Sequence, residues 1–100
     1  MNEYERWFVQ AQEDFDTACF NIKGKKWKAG VFFLQQAVEK ALKSLVIKKF
    51  RKLTKTHDLL LLAREVAVPQ NIADSCAKLN PAYGYTRYPD VEGLETSRIL

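Results

Sequence analysis

The stretch from about Trp27 to Phe50 constrains the fold more than any other part of this chain. Val31, Leu34, Val38, Ala41, Leu42 and Leu45 recur at spacings of three and four, and Phe32, Phe33 and Val46 widen the stripe. A helix apolar over so much of its circumference must contact more than one neighbour, so this segment predicts a central helix. Gly30 early in it lowers helix propensity by about 1 kcal/mol relative to alanine. Its presence points either to a close backbone approach by another helix or to an irregular first turn.

The rest of the chain has the same period. Tyr4, Trp7, Phe8, Ala11, Phe15, Ala18, Cys19 and Ile22 predict a first helix over residues 3–22, with Gly24 as its stop. A third helix is predicted over about His57 to Val68 from Leu59, Leu60, Leu62, Ala63 and Val66. Thr54 or Thr56 would cap it, Asp58 would sit in its first turn, and Pro69 would end it. A shorter fourth helix, about Asn71 to Leu79, shows Ile72, Ala73, Cys76 and Leu79 before Asn80-Pro81. No segment alternates at period two long enough to argue a strand. The expectation is an all-α, up-and-down four-helix bundle occupying residues 1–90, with 91–100 as a short tail or partial helix.

Composition narrows the function classes. The 47% hydrophobic and 28% charged residues among 100 match one globular domain rather than a disordered tail. The longest uncharged run in the first half, Ala29 to Val38, is too short to span a bilayer. Met1 leads into a charged amphipathic stretch rather than a secretory signal, so a cytoplasmic chain without a membrane anchor is expected. Cys19 and Cys76 both fall on apolar stripes and read as buried thiols rather than as a disulfide. One histidine and two distant cysteines cannot build a structural zinc site, and no metal or cofactor is expected.

Charge is distributed unevenly. From Lys40 to His57 the chain carries Lys40, Lys43, Lys48, Lys49, Arg51, Lys52 and Lys55 without an acidic residue. Uncompensated positive charge of this kind is what a phosphate-binding surface requires. The second cluster, Lys23, Lys25, Lys26 and Lys28 around Trp27, reads as a solvated face. Short connections make successive helices antiparallel. The connector 51–57 and the stretch from Pro81 to Asp90 should therefore emerge at one end of the bundle, bringing Arg51, His57, Tyr85, Arg87 and Tyr88 together.

Three segments in this order and spacing resemble the HEPN family. They are Trp7 with Ala11-Gln12-Glu13-Asp14, the run Phe33-Leu34-Gln35-Gln36-Ala37-Val38-Glu39-Lys40-Ala41-Leu42-Lys43, and Thr56-His57-Asp58-Leu59 followed by Tyr85-Thr86-Arg87-Tyr88-Pro89-Asp90. The resemblance implies a helical bundle that forms homodimers and is associated with nucleotides or RNA. It also implies a minimal nucleotidyltransferase partner, in some cases as a toxin–antitoxin pair. Several members are metal-independent endoribonucleases that use an Arg followed four to six residues later by His, a spacing that Arg51 and His57 satisfy. Against the family pattern, Asp58-Leu59 rather than Tyr follows His57, and a shortened C-terminal segment is expected.

The chemistry of these residue types fits that implication. A neutral imidazole suits an acid or base role near pH 7, and a guanidinium suits a phosphate clamp through its paired donors. His57 is thus the candidate acid/base, with Arg51 or Arg87 as the clamp. Separate imidazole acid and base would need two His57 side chains brought together by a dimer. Lys48, Arg51, Lys52, Lys55, Tyr85, Arg87 and Tyr88 are the candidate phosphate- or nucleotide-binding residues. Structural alternatives stand beside these readings: for His57, a helix-start residue whose ring bonds only backbone or the fourth helix. For Arg87 the alternative is a pair with Asp90 or Asp58, with Tyr88 packed over the bundle end. Glu39 and Lys40 read as surface contacts or an ion pair. Gln35 and Gln36 read as packing against helix one or a second subunit, and Phe33 and Val46 as the dimer surface.

Overall fold

The computed structural model describes residues 1–89, which form five helices and, among the described residues, no strand. They are α1 (Glu3–Lys23), α2 (Trp27–Phe50), α3 (Leu59–Glu65), α4 (Gln70–Leu79) and α5 (Ala82–Arg87). The four predicted helices are all present, and the fold is the expected helical bundle. The division at residues 90–91 and the tail beyond it lie outside the described residues.

Two helices form the frame. α1 starts with a capping box in which Asn2 Oδ1 accepts from the Glu5 amide at 3.0 Å and Glu5 Oε1 accepts from the Asn2 amide at 3.3 Å. It ends at Gly24, where Lys25 takes the left-handed conformation with φ 60°. The chain then reverses, and α2 runs antiparallel along α1. Three contacts fix the register: a close approach at Ile22 and Gly30, an ion pair of 2.7 Å between Lys40 and Asp14, and a 2.8 Å bond from Ser44 Oγ to the Tyr4 carbonyl. Of the two readings of Gly30, the close approach holds. A Cβ added there would lie 2.6 Å from Ile22 Cγ1 and 3.3 Å from the Ile22 nitrogen.

α2 is central, as its broad apolar stripe predicts, and packs against α1, α3 and α5. The core joins Val31, Leu42 and Val46 of α2 to Leu59, Leu62 and Ala63 of α3, with Cys76 and Leu79 of α4 and Ala82 of α5. Val46 is completely buried, so it belongs to this core and not to a dimer surface. Phe33 is half-buried, edge-on to Phe32 with ring centroids 5.0 Å apart. Cys76 is buried as expected, but Cys19 lies on the exposed flank of α1.

α3 is shorter than its apolar pattern suggests and is capped differently. Asp58 is its N-cap, accepting from the Leu60 and Leu61 amides at 3.0 and 3.2 Å. Thr56 instead accepts from the Asp58 amide, and Thr54 donates to Glu65 Oε1 at 2.8 Å. At the other end Ala67 is left-handed (φ 56°) and the Val68 amide reaches back to the Ala63 carbonyl at 3.1 Å. That pattern turns the chain into α4. α3 and α4 are clamped by Asn80, whose Oδ1 accepts from the Leu59 amide and whose Nδ2 donates to Asp58 Oδ1, both at 2.8 Å. α5 follows at once and lies on α2, which brings residues 82–87 beside the connector that precedes α3.

Candidate functional site

The polar centre of the molecule is built on the inner face of α2. Val31, Gln35, Glu39, Leu42 and Val46 occur at helical spacings of three and four and are all buried. Gln35 and Glu39 thus sit on the core stripe, only 1% and 5% exposed. Burying a carboxylate is costly unless it is paired and fully hydrogen-bonded, and Glu39 is both. Its Oε2 accepts from Lys43 Nζ at 2.9 Å, and its Oε1 accepts from Gln35 Nε2 at 3.1 Å. Gln35 in turn accepts from Gln36 Nε2 at 2.7 Å. The ion pair is with Lys43 rather than Lys40, and Glu39 is no surface residue.

The remaining partner of Glu39 is His57, whose Nδ1 lies 3.0 Å from Oε1. Burial alone would raise the Glu39 carboxyl above its ordinary value. Hydrogen bonds from Lys43, His57 and Gln35 outweigh that and hold it lower. An ionised carboxylate only accepts, so the bond requires the proton on Nδ1. One ring face of His57 stacks on Tyr83 of α5, with centroids 4.2 Å apart and planes within 20°. The side chain is nevertheless 52% exposed, and Nε2 has no hydrogen-bond partner among the described residues. The histidine is therefore anchored by α2 and α5, not by backbone or by α4.

Tyr83 also carries Arg87, one helical turn on. The guanidinium lies 4.3 Å from the Tyr83 centroid and 5.1 Å from that of Phe32. At these distances the ring faces attract the cation and hold it at the end of α5. It forms no ion pair among the described residues: Asp58 is occupied by Asn80 and the α3 amides, and Asp90 lies outside them. The Asn80 bond, followed by the Leu61 and Leu60 amides, keeps the Asp58 carboxyl below its ordinary value.

The structure thus brings His57 and Arg87 together through Tyr83, and distributes the other candidates elsewhere. Arg51 closes α2 in the left-handed conformation (φ 55°). With Lys48 and Lys52 it lines a hollow of about 600 Å³ that also takes in Asn2, Glu3 and Tyr4 from the start of α1. Lys48 Nζ lies 5.3 Å from the Tyr4 ring centroid, and Lys52 pairs with Glu65 at 3.1 Å. Lys55 and Tyr88 are exposed and Tyr85 is half-buried. Among the described residues no group of three His, Cys, Asp or Glu side chains is arranged to hold a metal ion.

Sequence reasoning read Glu39 and Gln35 only as contact residues, not as part of a site, and passed over Tyr83. For the first two there was a signal: glutamine and glutamate at core-facing positions of an otherwise apolar stripe. For Tyr83 there was none, because nothing in the sequence distinguishes it from Tyr85 or Tyr88.

A half-exposed imidazole bonded to a buried carboxylate, with a guanidinium over the ring it stacks on, gives this helical bundle one polar site. The comparison of families agrees with that fold. The HEPN domain model matches residues 4–98, and the chain belongs to the HEPN domain family, a nucleotide- and RNA-associated group. No curated protein and no solved structure matches the chain. No helix among the described residues is long and apolar enough to cross a membrane.

Proposed function

We propose that this HEPN chain binds nucleotide or RNA phosphates at the site formed by His57, Tyr83 and Arg87. It does so as a cytoplasmic homodimer paired with a minimal nucleotidyltransferase in a toxin–antitoxin-like system. The observation that carries the ligand class is Arg87 lying over the same Tyr83 ring on which the anchored His57 stacks, which gathers a cation and an imidazole around one tyrosine. The hollow lined by Lys48, Arg51 and Lys52, together with exposed Lys55, supports contact with further phosphates of a longer strand. Tyr88, exposed just beyond α5, and half-buried Tyr85 are further candidates for stacking on bases. Partner and dimer rest on the family resemblance. The test is titration of single-stranded RNA and of free nucleotide at two salt concentrations. Arg87→Ala should weaken binding and lower the salt slope by about 0.7, the share of one phosphate contact on a single strand. Arg51→Ala should do the same for RNA but less for a mononucleotide. Binding insensitive to salt and to both substitutions would refute the reading.

A second reading, metal-independent endoribonuclease, is favoured by one specific observation: the buried Glu39 carboxylate behind His57 Nδ1. Carboxylate-oriented imidazoles are suited to proton transfer. His57 would act as acid/base and Arg87 or Arg51 as the clamp on the phosphorane oxygens. Cleavage of a mixed RNA pool in EDTA, lost in a folded His57→Ala, would establish it. Cleavage surviving that substitution would remove it.

A further inference from the structure

α1 has more apolar surface than α2 covers. It packs along α2, and no other described helix packs substantially against it. Phe8 and Phe15, two turns apart on one stripe, remain 49% and 51% exposed. They border a hollow of about 570 Å³ lined by α1 and α2 alone, with Ala37, Val38 and Ala41 on the α2 side. Leu45, one turn beyond Ala41, is 47% exposed and extends the same face. We infer that a second copy of this chain covers this face. Two α1–α2 hairpins then form a four-helix bundle about a two-fold axis along the helices, with the two His57 sites outside it on opposite flanks. The inference rests on the homodimer of the proposed function and not on its ligand.

Charge selects both the occupant and its orientation. α1 and α2 are antiparallel, so Glu3 and Glu5 in the first turn of α1 lie at the same end as Lys48 and Lys49 in the last turn of α2. A face that carries an acidic turn and its basic complement is self-complementary, as a two-fold interface requires. An axis along the helices lays each α1 on the partner's α2 with these ends level, which sets acid over base. It also seats Phe8 and Phe15 on the stripe of Val38, Ala41 and Leu45 in the other chain. Turned end for end instead, α2 would lie along the partner's α2, with Lys48 and Lys49 against Lys26 and Lys28, and the first turn of α2 has no acidic residue to offset them. Like charges so placed oppose association. The two-helix face measures roughly 30 by 20 Å, comparable with the ~800 Å² per partner of a specific interface. Antiparallel neighbours at each edge are the up-and-down arrangement of four-helix bundles.

The same geometry places the polar sites. α2 turns by about 100° per residue, which puts Glu39 roughly a third of a turn away from the stripe of Val38, Ala41 and Leu45. His57, Tyr83 and Arg87 gather on the Glu39 side, and so face away from the bundle that the two hairpins form. The two-fold carries the partner's site to the other flank. Each site is then complete within one chain, and the two imidazoles do not meet.

Sedimentation equilibrium of the full chain tests this without ligand. The native protein should be a dimer at micromolar concentration. Phe8→Glu/Phe15→Glu should weaken association by at least about a hundredfold, with far-ultraviolet circular dichroism unchanged because both rings are already half in water. Lys49→Glu sets a carboxylate opposite the partner's acidic turn and should weaken it roughly twofold to fivefold. If the aromatic variant fails to fold, native Cys19 gives a second readout. It lies one turn beyond Phe15 on the same face, so its reaction with a thiol reagent should slow as concentration carries the chain from monomer to dimer. The chain has a single histidine, and its imidazole resonances should not move across that transition. An unchanged dissociation constant in the folded aromatic variant, or a Cys19 rate independent of concentration, overturns the inference and leaves a dimer through another surface. Imidazole resonances that shift on dilution put the site in the interface and overturn the placement of the sites. A native chain that stays monomeric overturns the inference together with the homodimer of the proposed function.

Discussion

Replacing Glu39 with alanine tests whether the network under His57 holds the bundle together as well as orienting the site. The substitution strands Lys43, 6% exposed, whose Nζ would lose its carboxylate partner at 2.9 Å. Breaking a buried pair by removing one partner costs about 3–5 kcal/mol. Here the lower end applies, because Lys43 Nζ also lies 5.8 Å from the Trp7 ring centroid, a contact worth about 0.5–2 kcal/mol once the ammonium is desolvated. A loss of about 3 kcal/mol lowers Tm by roughly 12–24 °C in a domain of this size. Lys43→Met should cost only about 1–2 kcal/mol, because Glu39 keeps Gln35 and His57 as donors. The double variant removes both charges and should cost well under the sum, leaving a coupling of about 2 kcal/mol. Urea denaturation of the four proteins followed by far-ultraviolet circular dichroism gives the cycle. A cost below about 1 kcal/mol for E39A, or simple additivity, would refute the reasoning.

Other consequences are as direct. Gly30→Ala should destabilise by about 1–2 kcal/mol in thermal melts despite alanine's better propensity, because the helical Ile22 side chain has little freedom to retreat from the new methyl. The Glu39 and Asp58 carboxyls sit below their ordinary values of 4.5 and 3.8 in the folded chain, so the unfolded chain binds protons first as the pH falls. Their stabilisation is therefore complete above about pH 4.5 and disappears as the pH drops through the folded values, and acid titration of E39Q should lack the Glu39 share. A thiol reagent should modify exposed Cys19 in the native protein and reach Cys76 only on unfolding, because burial both shields that thiol and raises its pKa.

The helices were legible because their apolar residues recur at three and four with enough repeats to exclude a strand, and the breadth of the α2 stripe already placed it at the centre. The caps were less so. Thr54, Thr56 and Asp58 are all competent N-caps, and only the Asn80 side chain arriving from α4 selects Asp58. α5 escaped notice because six residues containing Gly84 and two tyrosines carry little periodicity, and its helix depends on docking against α2. Within the site, the expected convergence of His57 and Arg87 came from topology alone. Arg51, six positions from His57, read as its neighbour, but a left-handed residue at the end of α2 sends it toward the start of α1. The i,i+4 pair of Glu39 and Lys43 looks in sequence like any solvated helix pair. Its burial follows from long-range packing around α2, by α1, whose Trp7 ring lies 5.8 Å from Lys43 Nζ, and by α3 and α5.

The most direct measurement for the central claim is an NMR titration of the ¹⁵N-labelled protein with a short single-stranded RNA. The account predicts that the first and largest shifts fall on His57, Tyr83 and Arg87, with smaller ones at Lys48, Arg51 and Lys52. Shifts confined to the Lys25–Lys28 cluster around Trp27, or none at all, would contradict it.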